Sequence, residues 1–369
     1  MKNILYKISY LTFLILFISV KSYSQFGWYP LNSGTTQNLN SLYVNYYSFY
    51  YIAGDSGLIL TSTDYGVNWI RIQSPTSNNL NSIWREFFDF KLLIAGDSGK
   101  VYVSYNSGSS WILQNTGTTS NINSIKSVRG IVIAVGNDGV LIKSTNSGNN
   151  WIRIDCGTNV NLNYVTFNSS DNLIAIGNNG MILKSTNEGS NWFTINSGTN
   201  SDLNYISYSE LISGDDGVVL KSTDGGNSWN SMITGTTSGL KSICLTGALA
   251  WAVGENGIIL KSYDRGITWI QQYSGTSADL NIAGFIYQDI GWVLGNNGLL
   301  LKHNLDTTII ASKQLDANQI STWFINNGSC NRDPQSGNGG FEWPINSGLY
   351  ARYTSGLWLG CLVGNDTIT

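Results

Sequence analysis

A chain of 369 residues with 12% charged and 12% aromatic side chains and 41 glycines has the balance of many short strands joined by tight turns, which disfavours disorder and long helices. Its net charge of −3 sets up no basic field for phosphates, which argues against nucleic acid as a partner. The single histidine rules out a multi-histidine metal site, and four cysteines with no CxxC spacing argue against zinc.

Residues 1–24 read as a signal peptide. Lys2 and Lys7 supply the positive start, residues 10–20 are apolar, and Ser22 and Ser24 are small residues spaced for cleavage before Gln25. The apolar stretch is shorter than the ~20 residues that a bilayer span needs, so cleavage and export are expected in place of an anchor. The mature chain is then secreted or displayed at the cell surface.

From residue 25 to about 305 the chain repeats itself. A Gly-x-x-Gly pair returns at Gly54, Gly96, Gly136, Gly177, Gly214, Gly254 and Gly295, in steps of 37 to 42 residues. A tryptophan keeps the same rhythm at positions 28, 69, 111, 151, 192, 229 and 269. Such periods, with four short strands in each, mark the blades of a β-propeller. One unit divides into strands at 162–167, 173–177, 181–185 and 192–196, with turn residues between them. The links GDSG, GNDG, GNNG, GDDG and GENG place Asn, Asp or Ser before glycine, as expected of hairpins needing positive φ between the second and third strands. Runs such as Val218–Val219–Leu220 are apolar throughout, as strands covered on both faces must be.

Trp28 precedes the first complete unit, and the last Gly-x-x-Gly pair has no tryptophan after it. The ends therefore share a blade: residues 28–31 are expected to pair with 299–302 and close the ring without exposed edges. The expected fold is an all-β, seven-bladed propeller.

Between third strand and tryptophan lies Ser-x-Asp/Asn-x-Gly-x-x-Trp, six times over, with its acid or amide at Asp64, Asn106, Asn146, Asn187, Asp224 and Asp264. A short polar side chain there caps backbone amides while the tryptophan packs beneath. The motif resembles the Asp-box of sialidase-type repeats, and the resemblance implies a structural turn on the face away from any ligand site. Sialidases resemble one another in an arginine cluster beside a tyrosine nucleophile and an acid. Here Arg71, Arg85, Arg129, Arg153 and Arg265 do not converge by their places in the repeats, although a pair of carboxylates spaced for glycoside hydrolysis stays open.

The box, the Leu-Asn-Ser-Ile opening and the Gly-x-x-Gly turns together resemble the photosystem II assembly and stability factor family and its secreted relatives in non-photosynthetic bacteria, over residues 28–302. The resemblance implies a non-catalytic propeller that binds a protein, here a partner at the cell envelope or outside the cell. The basic patch of the photosynthetic members has no matching arginines.

The opening asparagine recurs at Asn40, Asn81, Asn123, Asn163, Asn204 and Asn281, with Lys241 in its place once. With Asp55, Asp97, Asp138, Asp215, Asp216 and Glu255 of the turns, these residues form a polar, acidic ring at one mouth of the channel. It reads either as a partner or cation surface or as capping of turns and strand ends. A lysine recurs at Lys143, Lys184, Lys221, Lys261 and Lys302, as a basic rim or as solvated strand ends covering aromatic surface. His303 stands where the seventh box would have its serine. Cys156 and Cys244 fall within repeats as small apolar residues. No catalytic residue, metal or cofactor is assigned.

After a linker at 306–317 the period stops. Residues 318–369 resemble the opening of a β-rich module of large secreted bacterial surface proteins, where a Cys330–Cys361 bridge is one pairing that spacing leaves open. Two functional classes follow: a monomeric protein-binding platform, and a carbohydrate-binding or glycosidase-like propeller. A glycan site should gather carboxylates and exposed aromatics at one channel mouth, whereas a platform should show a broad patch.

Overall fold

The computed structural model describes residues 27–303 apart from 46–48, 87–90, 169–171 and 288–289. The expected linker and C-terminal module, the signal segment, Cys330 and Cys361 lie outside the described residues. Seven four-stranded antiparallel sheets form the ring. Six are contiguous in sequence and are numbered here as blades 1 to 6, at residues 39–71, 80–114, 122–153, 162–195, 203–232 and 240–272. Blade 7 consists of Leu280–Tyr287, Ile290–Gly295 and Leu300–His303, with Trp28–Leu31 as its outer strand. That strand pairs antiparallel, Trp28 opposite His303 and Leu31 opposite Leu300, so the split blade expected from the tryptophan count is present.

The first strand of each blade touches the first strand of the next, and blade 7 touches blade 1, which puts these strands around the channel. Apolar side chains fill the gaps between blades. Leu93, Val101 and Val103 of blade 2 meet Ile122, Ala134 and Ile142 of blade 3, and Leu39, Ile52 and Leu60 of blade 1 meet Leu294 and Leu300 of blade 7. A sheet sandwiched in this way needs apolar residues on both faces, and the second strands are accordingly buried along almost their whole length.

The Gly-x-x-Gly hairpins join second and third strands, as expected. In the first, the Leu58 amide donates to Asp55 O at 3.0 Å, and Ser56 and Gly57 both have positive φ, at 52° and 70°. Positive φ at both central residues defines the type I′ turn, whose twist matches that of the flanking strands. A side chain on Gly57 would collide with the carbonyl of Thr76, so glycine is required there for space as well as for its backbone angle.

Candidate functional site at the turn face

Every inner strand has a register shift at its opening asparagine or lysine, as between Leu39 and Ser41 in blade 1. A bulge takes one residue out of the ladder and re-aims its side chain. Freed in this way, Asn40, Asn81, Asn123, Asn163, Asn204 and Asn281 behave alike. Each Nδ2 donates to the first turn residue of its own blade, at 2.7–3.3 Å, and to the backbone carbonyl that opens the next blade, at 2.9–3.2 Å. The following serine works in the opposite sense. Ser41, Ser82, Ser124 and Ser242 accept an amide of the next blade at 3.1–3.3 Å. The Leu-Asn-Ser opening is thus a two-point clasp between blades.

The acidic members of the ring divide in two. Asp55, Asp97 and Asp215 occupy the first turn position and are taken up by the opening asparagines. Asp138 and Asp216 stand at exposed turn tips with φ of 56° and 57°, where their carboxylates accept from Ser120 and Ser201 at 2.9 Å. Glu255 is exposed and accepts the Gly239 amide at 3.2 Å.

A second ring was not anticipated. Asn38, Asn79, Asn121, Asn161, Asp202 and Asp279 each accept the amide of the preceding blade's turn tip, at 2.8–3.0 Å. Its signal is the Asn/Asp two residues before each opening asparagine. The ring breaks between blades 5 and 6, where Gly239 leaves the Asp216 tip without this support. At the same junction Lys241 replaces the opening asparagine and reaches Asp279 at 2.9 Å, which holds the Asp279 carboxyl below its ordinary range.

The rim beside the tips also departs from the repeat here. Ile233 and Tyr273, the fourth residues after Trp229 and Trp269, are 90% and 86% exposed. The equivalent residues of the other blades are Asn32, Gln73, Asn115, Asp155 and Asn196. Ile233 borders a shallow groove of about 550 Å³ shared with Asp216, Met232 and Thr236.

The opposite face carries the Ser-x-Asp/Asn-x-Gly-x-x-Trp hairpins. In all six the serine hydroxyl accepts the glycine amide at 2.8–3.0 Å. Asp64, Asn106, Asn146, Asn187, Asp224 and Asp264 each accept the amide four residues on, at 2.8–2.9 Å. The Asn68 amide, joined by the Ser62 hydroxyl, holds the Asp64 carboxyl down to about 2. The Ser228 hydroxyl and amide lower Asp224 further. Burial pushes Asp264 up, but the Thr268 hydroxyl and amide outweigh it and leave it below its ordinary range.

The recurring lysines are neither a basic rim nor solvated, being at most 9% exposed. Lys184 Nζ reaches Gly225 O and Asn227 Oδ1 of the next blade's hairpin, both at 2.8 Å. Lys143 reaches Ser190, Lys221 the Arg265 carbonyl and Lys302 the Tyr65 carbonyl. Lys261 and Lys302 also lie over Trp251 and Trp292, so the aromatic cover that was expected is real for these two. The unpaired carbonyls of a neighbouring hairpin attract an ammonium group inward more strongly than water holds it at a strand end.

His303 packs between Trp28 and Trp251, at ring-centroid distances of 5.0 and 4.9 Å. Among the described residues Arg71 and Arg153 share the outer-strand position of blades 1 and 3, while Arg85, Arg129 and Arg265 lie on an inner strand, a turn and a hairpin of blades 2, 3 and 6. Cys156 is buried and donates weakly to Gly139 O. Cys244 is half-buried on an inner strand. Among the described residues no three His, Cys, Asp or Glu side chains are grouped to hold a metal ion, and no helix is long and apolar enough to cross a membrane.

No protein-family model matches the chain, and neither does any curated protein sequence. Solved structures do match in shape. YCF48 from Cyanidioschyzon merolae is 17% identical with a TM-score of 0.64, over 76% of this chain and 99% of that one. A structure of YCF48 bound to D1 peptide is 19% identical with a TM-score of 0.64, over 76% and 95%. An ancestral GH74 enzyme is 17% identical with a TM-score of 0.61, over 74% of this chain and 46% of that one. At these identities the likeness is one of fold.

Proposed function

We propose that this chain is an exported, monomeric and non-catalytic propeller that binds a protein partner at the cell envelope or outside the cell, through the turn face at blades 5 and 6. The observation that carries the reading is the exposure of Ile233 and Tyr273 side by side in the repeat, beside the acidic tips, where every other blade has a polar residue. Aromatic and aliphatic anchors inside a polar rim are the composition of protein-binding surfaces. A rigid backbone suits the role, since a preformed surface loses little entropy on binding. The likeness to a propeller solved with a peptide bound supports the same reading. Export rests on Lys2, Lys7, the apolar residues 10–20 and the small Ser22 and Ser24.

The test is affinity capture from envelope extracts with the exported chain, read by mass spectrometry beside a glycan array. A client held by the native chain and lost from both Ile233→Asp and Tyr273→Ala supports the platform. Selective glycan binding that depends on Tyr273, with no protein client, would replace it with a carbohydrate-binding propeller. The GH74 fold match is the finding that keeps this arm in the experiment.

A further inference from the structure

The channel wall is not uniform. Lys126, on the inner strand of blade 3, is 9% exposed, and its Nζ lies 4.4 Å from the Trp84 ring centroid and 4.7 Å from that of Tyr164. Of the other buried lysines, Lys91, Lys143, Lys184, Lys221 and Lys302 each reach an oxygen. Among the described residues no oxygen accepts a hydrogen bond from Lys126. Burial alone holds it down to about 7, with no charged side chain contributing.

Of its neighbours, Trp84 donates its indole N–H to the Ser127 carbonyl at 3.1 Å, and the two tyrosines are paired with each other. Tyr164 donates to the Tyr205 hydroxyl at 2.8 Å with ring centroids 4.0 Å apart, so within this pair the Tyr205 hydroxyl proton has no acceptor. These tyrosines occupy the clasp-serine position in blades 4 and 5. Trp84, Tyr164, Tyr205 and Cys244 are all half-buried and lie on the inner strands that surround the channel. Tyr43 closes the belt edge-on to Trp84.

We propose that this belt is a binding site for a single carboxylate group on a slim apolar chain, held by the Lys126 ammonium and the Tyr205 hydroxyl between the aromatic rings. The site offers ammonium N–H groups and one hydroxyl proton, and among the described residues no carboxylate pairs with the ammonium; the complement of buried donors is an anion. One positive charge balances one negative charge. A doubly charged phosphate would leave charge uncompensated in a poorly hydrated space, which is costly. The aromatic walls accommodate the acid's apolar tail. This site is separate from the turn face and does not rest on the platform reading.

Burial moves the neighbouring phenols and thiol away from neutrality. Burial raises Tyr43, Tyr164 and Tyr205, and pushes the Cys244 thiol up to about 11. Glu86, at the end of the Trp84 strand, is engaged by Lys91 and Ser127. The anion therefore requires one protonation, that of Lys126.

The experiment is a ligand-detected NMR titration of the full chain with butyrate, from pH 6.0 to 8.5, with butyramide as the uncharged control. Saturable binding of butyrate alone is expected, weakening by about tenfold from pH 7.5 to 8.5 as the lysine loses its proton. Lys126→Met should weaken binding by at least ~10-fold, as removal of a buried charged partner does. Lys126→Arg should keep binding and flatten its pH dependence, because guanidinium stays charged; this variant keeps the test decisive should the methionine variant not fold. Equal binding of butyramide, a flat pH profile in the native chain, butyrate binding indifferent to Lys126→Met, or no saturable binding by folded native chain would each overturn the proposal.

Discussion

Asp64 and Asn106 fill the same hairpin position and make the same bond to the amide four residues on, so the chain already contains the conservative replacement. Asp64→Asn should therefore change stability at pH 7 by less than about 0.5 kcal/mol, whereas Asp64→Ala, which removes the cap, should cost about 1 kcal/mol. Charge makes the two differ in acid. The folded-state carboxyl lies near 2 against an ordinary 3.8, so its contribution is full above about pH 4 and is lost as the pH falls toward 2. Urea denaturation of the native chain and Asp64→Asn at pH 7 and pH 2.5 should show the native chain losing more. A loss of equal size in both would mean that the Asp64 charge contributes nothing to the hairpin.

Between neighbouring blades, polar clasps on both faces hold one blade to the next. On the hairpin face, Lys184→Met removes a buried ammonium with two acceptors at 2.8 Å and leaves Gly225 O and Asn227 Oδ1 without it. The expected loss is about 1.5–3 kcal/mol, the range for hydrogen bonds involving a charged group. Denaturant unfolding measures it, and a loss below about 0.5 kcal/mol, the usual size at a solvated surface lysine, would return Lys184 to that status. The opening asparagines, box residues and turn glycines were legible in the sequence because the same residue type returns at the same step. Their direction was not, since whether Asn163 faces a partner or the next blade's carbonyl is decided by a bulge that pattern does not reveal. Lys184 was read as solvated because a lysine at a strand end ordinarily is, and only the next blade's hairpin carbonyls bring it inward. The belt of Trp84, Lys126, Tyr164 and Tyr205 was missed for the opposite reason. Each blade puts a different residue there, so a search for what repeats passes over it.

At the scale of the ring, one short strand closes the structure. Trp28 is 6% exposed and packs edge-on against Trp251 and Phe285, with ring centroids at 5.4 and 5.9 Å, so it ties blade 7 to blade 6 as well as covering the strand at Leu300–His303. The period and the odd tryptophan made this closure readable without coordinates, because a unit lacking its last strand at one end and a spare strand at the other leave one economical arrangement. Trp28→Ala should cost about 3–5 kcal/mol, the range for an aromatic truncation in a packed core. Removal of residues 25–31 goes further, because it leaves the backbone groups of residues 300–303 unpaired at a sheet edge. An uncovered apolar edge recruits other strands. The shortened chain should therefore melt at a lower temperature and self-associate in light scattering, and Trp28→Phe should restore most of the stability lost in Trp28→Ala. A shortened chain that stays monomeric and melts with the native one would show that blade 7 is stable on three strands, and that the shared blade is a consequence of where the chain starts and not what holds the ring shut.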